Sequence, residues 1–339
     1  MTNKKIKIAL IVGGTSPERK VSKSTALSIY KALMNLGYET VLVDPAYGEN
    51  QPKDTEAFFA EKDFAGISNE NYVKALNMKL FDSVDLAFLA LHGKWGEDGT
   101  LQSLLELKGI KYTGSKVLSS AITMDKTMSK ILFQHYGIRT PKWVTVSNKN
   151  YNFSSLINDI KNEVKFPCVI KPNDQGSTVG LTICENENSV DEAVKLALQF
   201  SDKALIEEYI KGRELTVGIL EDEAFPVLEI KPKHGIYDYE CKYTPGMSEY
   251  EVPAKISNEL SDKLKETSLA AFKALSCEGY ARVDFILDEN GVDYCLEVNT
   301  LPGMTSTSLV PKVAKAAGIS FEELIDRIIK ISLPSGQAL

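Results

Sequence analysis

Cysteine, histidine and tryptophan are scarce: five, three and two residues among 339. The cysteines (Cys168, Cys184, Cys241, Cys277 and Cys295) form no CxxC pair and no zinc spacing. So odd and scattered a set fits reduced core thiols in a cytoplasmic protein, not a disulfide framework. No run approaches the ~20 consecutive apolar residues of a membrane span. Ile6 to Val12 follows a lysine-rich start, but it is too short for a signal-peptide core and runs into Gly13-Gly14. Basic residues are the minority, 39 Lys and Arg against 46 Asp and Glu, for a net charge of -7. That balance argues against nucleic-acid and membrane partners, which select basic patches. It leaves room for a phosphate ligand, because a few local lysines suffice. Internal repeats and low-complexity tracts are lacking as well.

What remains is ordinary soluble-enzyme composition, with 43% hydrophobic and 25% charged residues, in a chain long enough for two or three cores. Lys7 to Val12 reads as a buried strand, Val21 to Leu36 as a helix stopped by Gly37, and Glu39 to Val43 and Val84 to Leu91 as strands. This alternation predicts a parallel sheet with helices on its faces. Further on, Ala121 to Tyr136 reads as one helix, and Pro167 to Lys171, Leu181 to Cys184 and Ala204 to Tyr209 as strands. Leu215 to Leu220 and Ala224 to Ile230 form an antiparallel pair. Residues 233–253 show no periodicity yet hold four tyrosines, and such a loop in a compact domain is usually functional. Ala281 to Leu287 and Val292 to Val298 read as a hairpin about Asn290-Gly291. The stripe Phe321, Leu324, Ile325, Ile328 and Ile329 is helical core.

Five clusters carry chemistry. Gly13 to Arg19 follows a strand end, where α/β sheets bind ligands; a plain turn with a helix cap explains it equally. Leu91 to Gly99 puts His92 among three glycines, as a ligand loop or a structural histidine. Lys171 ends an apolar strand and opens the Asn173 to Gly180 loop of small polar residues. A lysine so placed needs a partner, and phosphate fits, although the order is not that of a Walker A motif. Fourth, Arg282 and Asp284 lie two apart on one hairpin strand, and Glu297 and Asn299 two apart on the other. Residues two apart share a face, so hard oxygen donors for Mg²⁺ gather beside a cation. Val283, Phe285, Leu296 and Val298 are expected on the opposite, apolar face. Fifth, Asn299 to Pro311 leads into a helix N-terminus, suited to a carboxylate or to simple capping.

Taken together, GGTSPE, LHGKWGEDG, MDK, VIKPNDQGSTVG, LIEEYI, YDYECKY, ARVDF and EVNTLPGMTSTSLVP resemble the D-alanine–D-alanine ligases of the ATP-grasp superfamily, from Gly13 to about Pro311. The resemblance implies an α/β (overall α+β) three-domain ATP-grasp fold with an N-terminal parallel-sheet, or preATP-grasp, domain. The domains would span 1–114, 115–208 and 209–339, with a lid at 233–253. It implies ATP as co-substrate, two Mg²⁺ or Mn²⁺ ions, and formation of D-alanyl-D-alanine through a D-alanyl phosphate for the cell wall. A cytoplasmic homodimer is the family's usual form.

By the same resemblance Lys126, Lys171 and Lys242 serve the nucleotide phosphates and lid. Glu207, Tyr209 and Ile210 line the adenine site, and Glu214 takes the ribose. Asp284, Glu297 and Asn299 hold the metals. Glu18 meets the first D-alanine's ammonium and His92 its carboxylate. Arg282 and the Gly303 N–H face the oxyanion, while Ser308 and the Leu309 N–H fix the second carboxylate. Ser177, Tyr243 and Glu18 close the site. Thr307 and Leu301 are the minor departures from the pattern. The alternative products, D-alanyl-D-lactate or D-alanyl-D-serine, are disfavoured by Tyr243, where depsipeptide ligases typically carry Phe.

Overall fold

The run KIALI forms strand β1 (Lys7–Ile11), between parallel β2 (Glu39–Val43) and β3 (Leu86–Leu89), in the order β2-β1-β3. This computed structural model describes residues 5–147, 151–233, 237, 241, 242, 244 and 246–333. Parallel neighbours need a crossover, and helix Arg19–Leu36 supplies it, ended by Gly37 at φ 79°. Helix Phe321–Ser332 returns to the same core. Its Leu324, Ile325, Ile328 and Ile329 are fully buried there, each contributing about 1.5–3 kcal/mol of transfer free energy.

A second, antiparallel sheet contains β4 (Trp143–Val146), β5 (Cys168–Pro172), β6 (Thr182–Cys184) and β7 (Ala204–Glu208), ordered β4-β7-β5-β6. The third contains β8 (Gly212–Leu220), β9 (Glu223–Ala224), β10 (Leu228–Pro232), β11 (Ser248–Glu251), β12 (Tyr280–Asp288) and β13 (Asp293–Asn299). Its path is β11-β10-β8-β12-β13, with β9 beside β8. Helix Asn258–Ala274 covers one face of this sheet through Leu264, Ala271 and Phe272. Among the described residues, no helix is long and apolar enough to cross a membrane.

Three expectations need correction. The helix expected from Ala121 to Tyr136 breaks into Val117–Met124 and Lys126–His135. Asp125 is the reason: its carboxylate accepts from the Met128 N–H as an N-cap, which outweighs continuous apolar spacing. The second helix sends Phe133 into the core of the third sheet, so packing does not follow the linear order of the chain. Secondly, the aperiodic stretch 233–253 contains β11, paired to β10 with Tyr250 opposite Ile230.

The third correction is a β-bulge. Arg282 pairs with Asn299 and Asp284 with Glu297, but Phe285 pairs with Cys295. The extra residue reverses the inside–outside alternation. Cys295 is therefore buried in the core with Val283, Phe285 and Val298, and Leu296 turns to a cavity instead.

Candidate functional site

Two clefts flank the hairpin. The first, with about 1120 Å³ of empty space, lies between the second and third sheets. Val169, Lys171 and Glu207 come from one sheet, and Glu214, Leu215, Asp284, Phe285 and Glu297 from the other. Lys126, Tyr209, Ile210, Lys242 and Arg282 complete the expected set. The second, about 1300 Å³, is bounded by Glu18, His92, Ser177, Asn299, Gly303, Ser308 and Leu309. The clefts share one wall: Gly176, Ser177, Tyr237, Lys242, Arg282 and Glu297. Tyr243 lies outside the described residues.

Asp125 starts the helix whose first residue, Lys126, reaches the Gln175 carbonyl at 2.8 Å and Glu297 at 3.2 Å. Burial would raise the Glu297 carboxyl, but Lys126, Lys171, Lys242 and Arg282 overcome it and hold Glu297 at about 2. Glu207 shows the same contest. Burial is outweighed by Lys130 and Lys171, and its carboxyl falls to about 2. Lys171 donates to Glu207 Oε1, and Lys130 Nζ stands 2.9 Å from Oε2. The apolar strand β5 therefore does carry a partnered lysine, one residue before its end.

Asp284 is held from three sides. Arg282 Nη2 donates to its Oδ2 at 2.8 Å, Thr216 Oγ1 to its Oδ1 at 2.6 Å, and Asn299 Nδ2 to its Oδ2 at 3.0 Å. Burial would lower Arg282; the Asp284 carboxylate holds it above its usual range. Glu214 on β8 behaves oppositely. Burial pushes it up to about 7, although the Tyr237 N–H, 3.2 Å away, and Lys242 favour its charged form.

In the second cleft, Ser177 donates to Glu18. Burial and the neighbouring Glu97 raise the Glu18 carboxyl against His92, Ser177 and Lys242, leaving it short of positive charge. Its loop is fixed by a buried clamp. Arg19 Nη2 lies 2.7 Å from Asp44, and the Gly14 N–H donates to Asp44 Oδ1 at 3.1 Å. A side chain at Gly13 (φ 81°) would place Cβ 2.1 Å from Asp44 Oδ2, so glycine is required. His92 is 6% exposed, with Nε2 2.9 Å from Thr25 Oγ1 and Nδ1 3.4 Å from Glu97. Burial alone would lower it; Glu97 and Glu18 hold it above its usual value. Ser177 and Thr178 hold φ of 52° and 59°, strained for residues with a Cβ; Ser177 lies on the wall the clefts share and Thr178 lines the first cleft.

Sequence reasoning missed Lys130, Glu97, Thr216 and Tyr237. Glu97 stood in a quoted motif without a role, and Lys130 lay unremarked within the helix expected from Ala121 to Tyr136.

Residues 7–115 match the family model for the D-ala D-ala ligase N-terminus, and residues 132–330 that for the C-terminus. The chain is 40% identical over 337 residues to the D-alanine–D-alanine ligase of Carboxydothermus hydrogenoformans, covering 98% of this chain and 100% of that protein. Identity to the enzyme of that name from Desulforamulus reducens is 41% over 337 residues, covering 97% and 99%. The D-alanine–D-alanine ligase of Bacillus anthracis, in its crystal structure complexed with ATP, matches with a TM-score of 0.77 at 35% identity, over 96% of this chain and 97% of that one. The VanG D-Ala:D-Ser ligase of Enterococcus faecalis matches with a TM-score of 0.82 at 30% identity, over 97% and 100%. Matched by both family models and by full-length relatives, on an ATP-grasp fold, the chain belongs to the D-alanine–D-alanine ligase family.

Proposed function

We propose that the first cleft takes ATP, the second takes two D-alanines, and the shared wall is where they react to give D-alanyl-D-alanine, ADP and phosphate. The observation that carries this is the common boundary Ser177, Lys242, Arg282 and Glu297 between a lysine-rich cleft and a Glu18–His92–Ser308 cleft. A carboxylate oxygen of the first D-alanine attacks the γ-phosphorus there, and ADP leaves. The amine of the second D-alanine attacks the acyl carbon, and phosphate leaves.

Lys126 and Lys171 neutralise phosphate charge, the main physical task in phosphoryl transfer. Glu207 and the backbone of Tyr209 and Ile210 take the adenine, Glu214 the ribose, and Lys242 the phosphate end. Glu18, short of positive charge, takes the first ammonium, and His92 lies by that substrate's carboxylate. Arg282 and the Gly303 N–H stabilise the oxyanion. Ser308 and the Leu309 N–H hold the second carboxylate. Tyr243, outside the described residues, joins Ser177 and Glu18 on the lid at 233–253, which excludes water from the acyl phosphate.

Asp284, Glu297 and Asn299 fit two Mg²⁺ or Mn²⁺ ions, since two register-paired carboxylates and an amide supply hard oxygen donors at the cleft wall. The metals would supply further charge neutralisation at the phosphates. We place domain boundaries near 114 and 208, giving three domains with one sheet each, and take the cytoplasmic homodimer usual in the family as the working form. D-Alanine is preferred over D-serine as second substrate because the Bacillus anthracis structures named for D-alanine are 35% and 37% identical, against 30% for the D-Ala:D-Ser enzyme. The test is phosphate release from ATP with and without D-alanine, with the product identified by mass. Release that does not depend on D-alanine overturns the reading.

A further inference from the structure

We infer that Lys130, which does not line the nucleotide cleft, is a positioning residue that keeps the charge of Lys171 available to phosphate by sharing Glu207. The inference rests on ATP occupying the first cleft. Lys130 is fully buried, one helical turn beyond Lys126. Its ammonium meets Glu207 Oε2 at 2.9 Å and donates to Thr140 Oγ1 at 2.8 Å and to the Pro141 carbonyl at 3.1 Å. The Trp143 ring lies 5.4 Å away. Two donated hydrogen bonds and the 2.9 Å contact with the Glu207 carboxylate hold Lys130 as an ammonium, the carboxylate opposing the burial and the neighbouring Lys171 that lower its pKa.

The other oxygen of Glu207 accepts from Lys171. Two ammonium groups therefore share one carboxylate, and one positive charge is left over. Lys130 is sealed from the cleft, whereas Lys171 lines it with 13% of its side chain exposed. The surplus charge thus faces the cleft at Lys171. Without Lys130, Glu207 would neutralise Lys171 completely, and phosphate would have to compete with a buried carboxylate for it.

A lysine that merely fills the gap between helix and strand would affect both substrates alike. The experiment is steady-state kinetics on the full chain for wild type, Lys130→Met, Glu207→Gln and the double variant. Lys130→Met is expected to raise the KM for ATP about tenfold, as loss of one charge-assisted contact would, with the D-alanine KM unchanged. Adding Glu207→Gln should remove that penalty, so that the double variant matches Glu207→Gln alone. A parallel rise in the D-alanine KM, or a double variant with a higher ATP KM than Glu207→Gln, overturns the inference. The second comparison decides even if Lys130→Met alone fails to fold, because the double variant keeps the wild-type net charge of the cluster, one positive charge on Lys171 facing the cleft. Wild type without D-alanine-dependent phosphate release would overturn the proposed function itself. An active wild type with a flat Lys130 series overturns only the role of Lys130.

Discussion

Glu214→Gln gives the most quantitative test of the nucleotide cleft. Burial raises this carboxyl from 4.5 to about 7, against the Tyr237 N–H and Lys242 and with the help of Asp284. Between those pH values the folded chain keeps a proton that the unfolded chain has already released. Stability from this group is therefore highest at and below the unfolded pKa and falls as pH rises to the folded one. The shift corresponds to about 3 kcal/mol, which solvent at the partly exposed side chain reduces to about 2 kcal/mol. Gln has no proton to lose. Without nucleotide, the variant should gain about 2 kcal/mol on wild type between about pH 4.5 and 8 in urea unfolding. Ionised Glu214 is also the better acceptor for ribose hydroxyls, so the ATP KM of wild type should fall relative to the variant over the same range. The difference between the two proteins cancels the titration of ATP itself. Equal pH slopes of stability in both would refute the reasoning.

Asp284→Asn or Glu297→Gln should nearly abolish turnover while leaving the fold intact, because phosphate charge loses its metal donors; wild-type turnover at limiting Mg²⁺ would sink the metal assignment. Lys171→Ala should raise the KM for ATP far more than that for D-alanine; equal effects on the two, or simple loss of stability, would count against a phosphate role. Tyr243→Phe should keep ATP binding and gain D-alanyl-D-lactate formation at low pH, where the competing amine is protonated, at a cost on the order of 1–3 kcal/mol in the closed network. Competition between D-alanine and D-lactate across pH reads this, and an unchanged product ratio would remove Tyr243 as selector.

The hairpin and its polar face were legible because Asn290-Gly291 fixes the turn and because Arg282, Asp284, Glu297 and Asn299 interrupt two apolar strands at paired positions. The bulge was not, since one inserted residue changes no composition and yet moves Leu296 from core to cleft. Asp125 broke a helix through a single capping bond that apolar spacing does not reveal. Strand β11, SEYE, has too few apolar residues to announce itself and exists by pairing with β10. Lys130 was overlooked for a related reason. A lysine four residues along a helix reads as solvated until Glu207, Thr140 and Pro141 are seen to meet it. Local signals found the motifs, and long-range pairing decided which side chains face the clefts.

In the proposed reaction a D-alanine carboxylate attacks ATP across the wall the two clefts share. The most direct measurement is turnover of D-alanine labelled with ¹⁸O in its carboxylate, with the released phosphate analysed by mass. Attack through an acyl phosphate transfers one labelled oxygen to each phosphate released, in step with D-alanyl-D-alanine formed. Dipeptide formation with unlabelled phosphate would contradict the account.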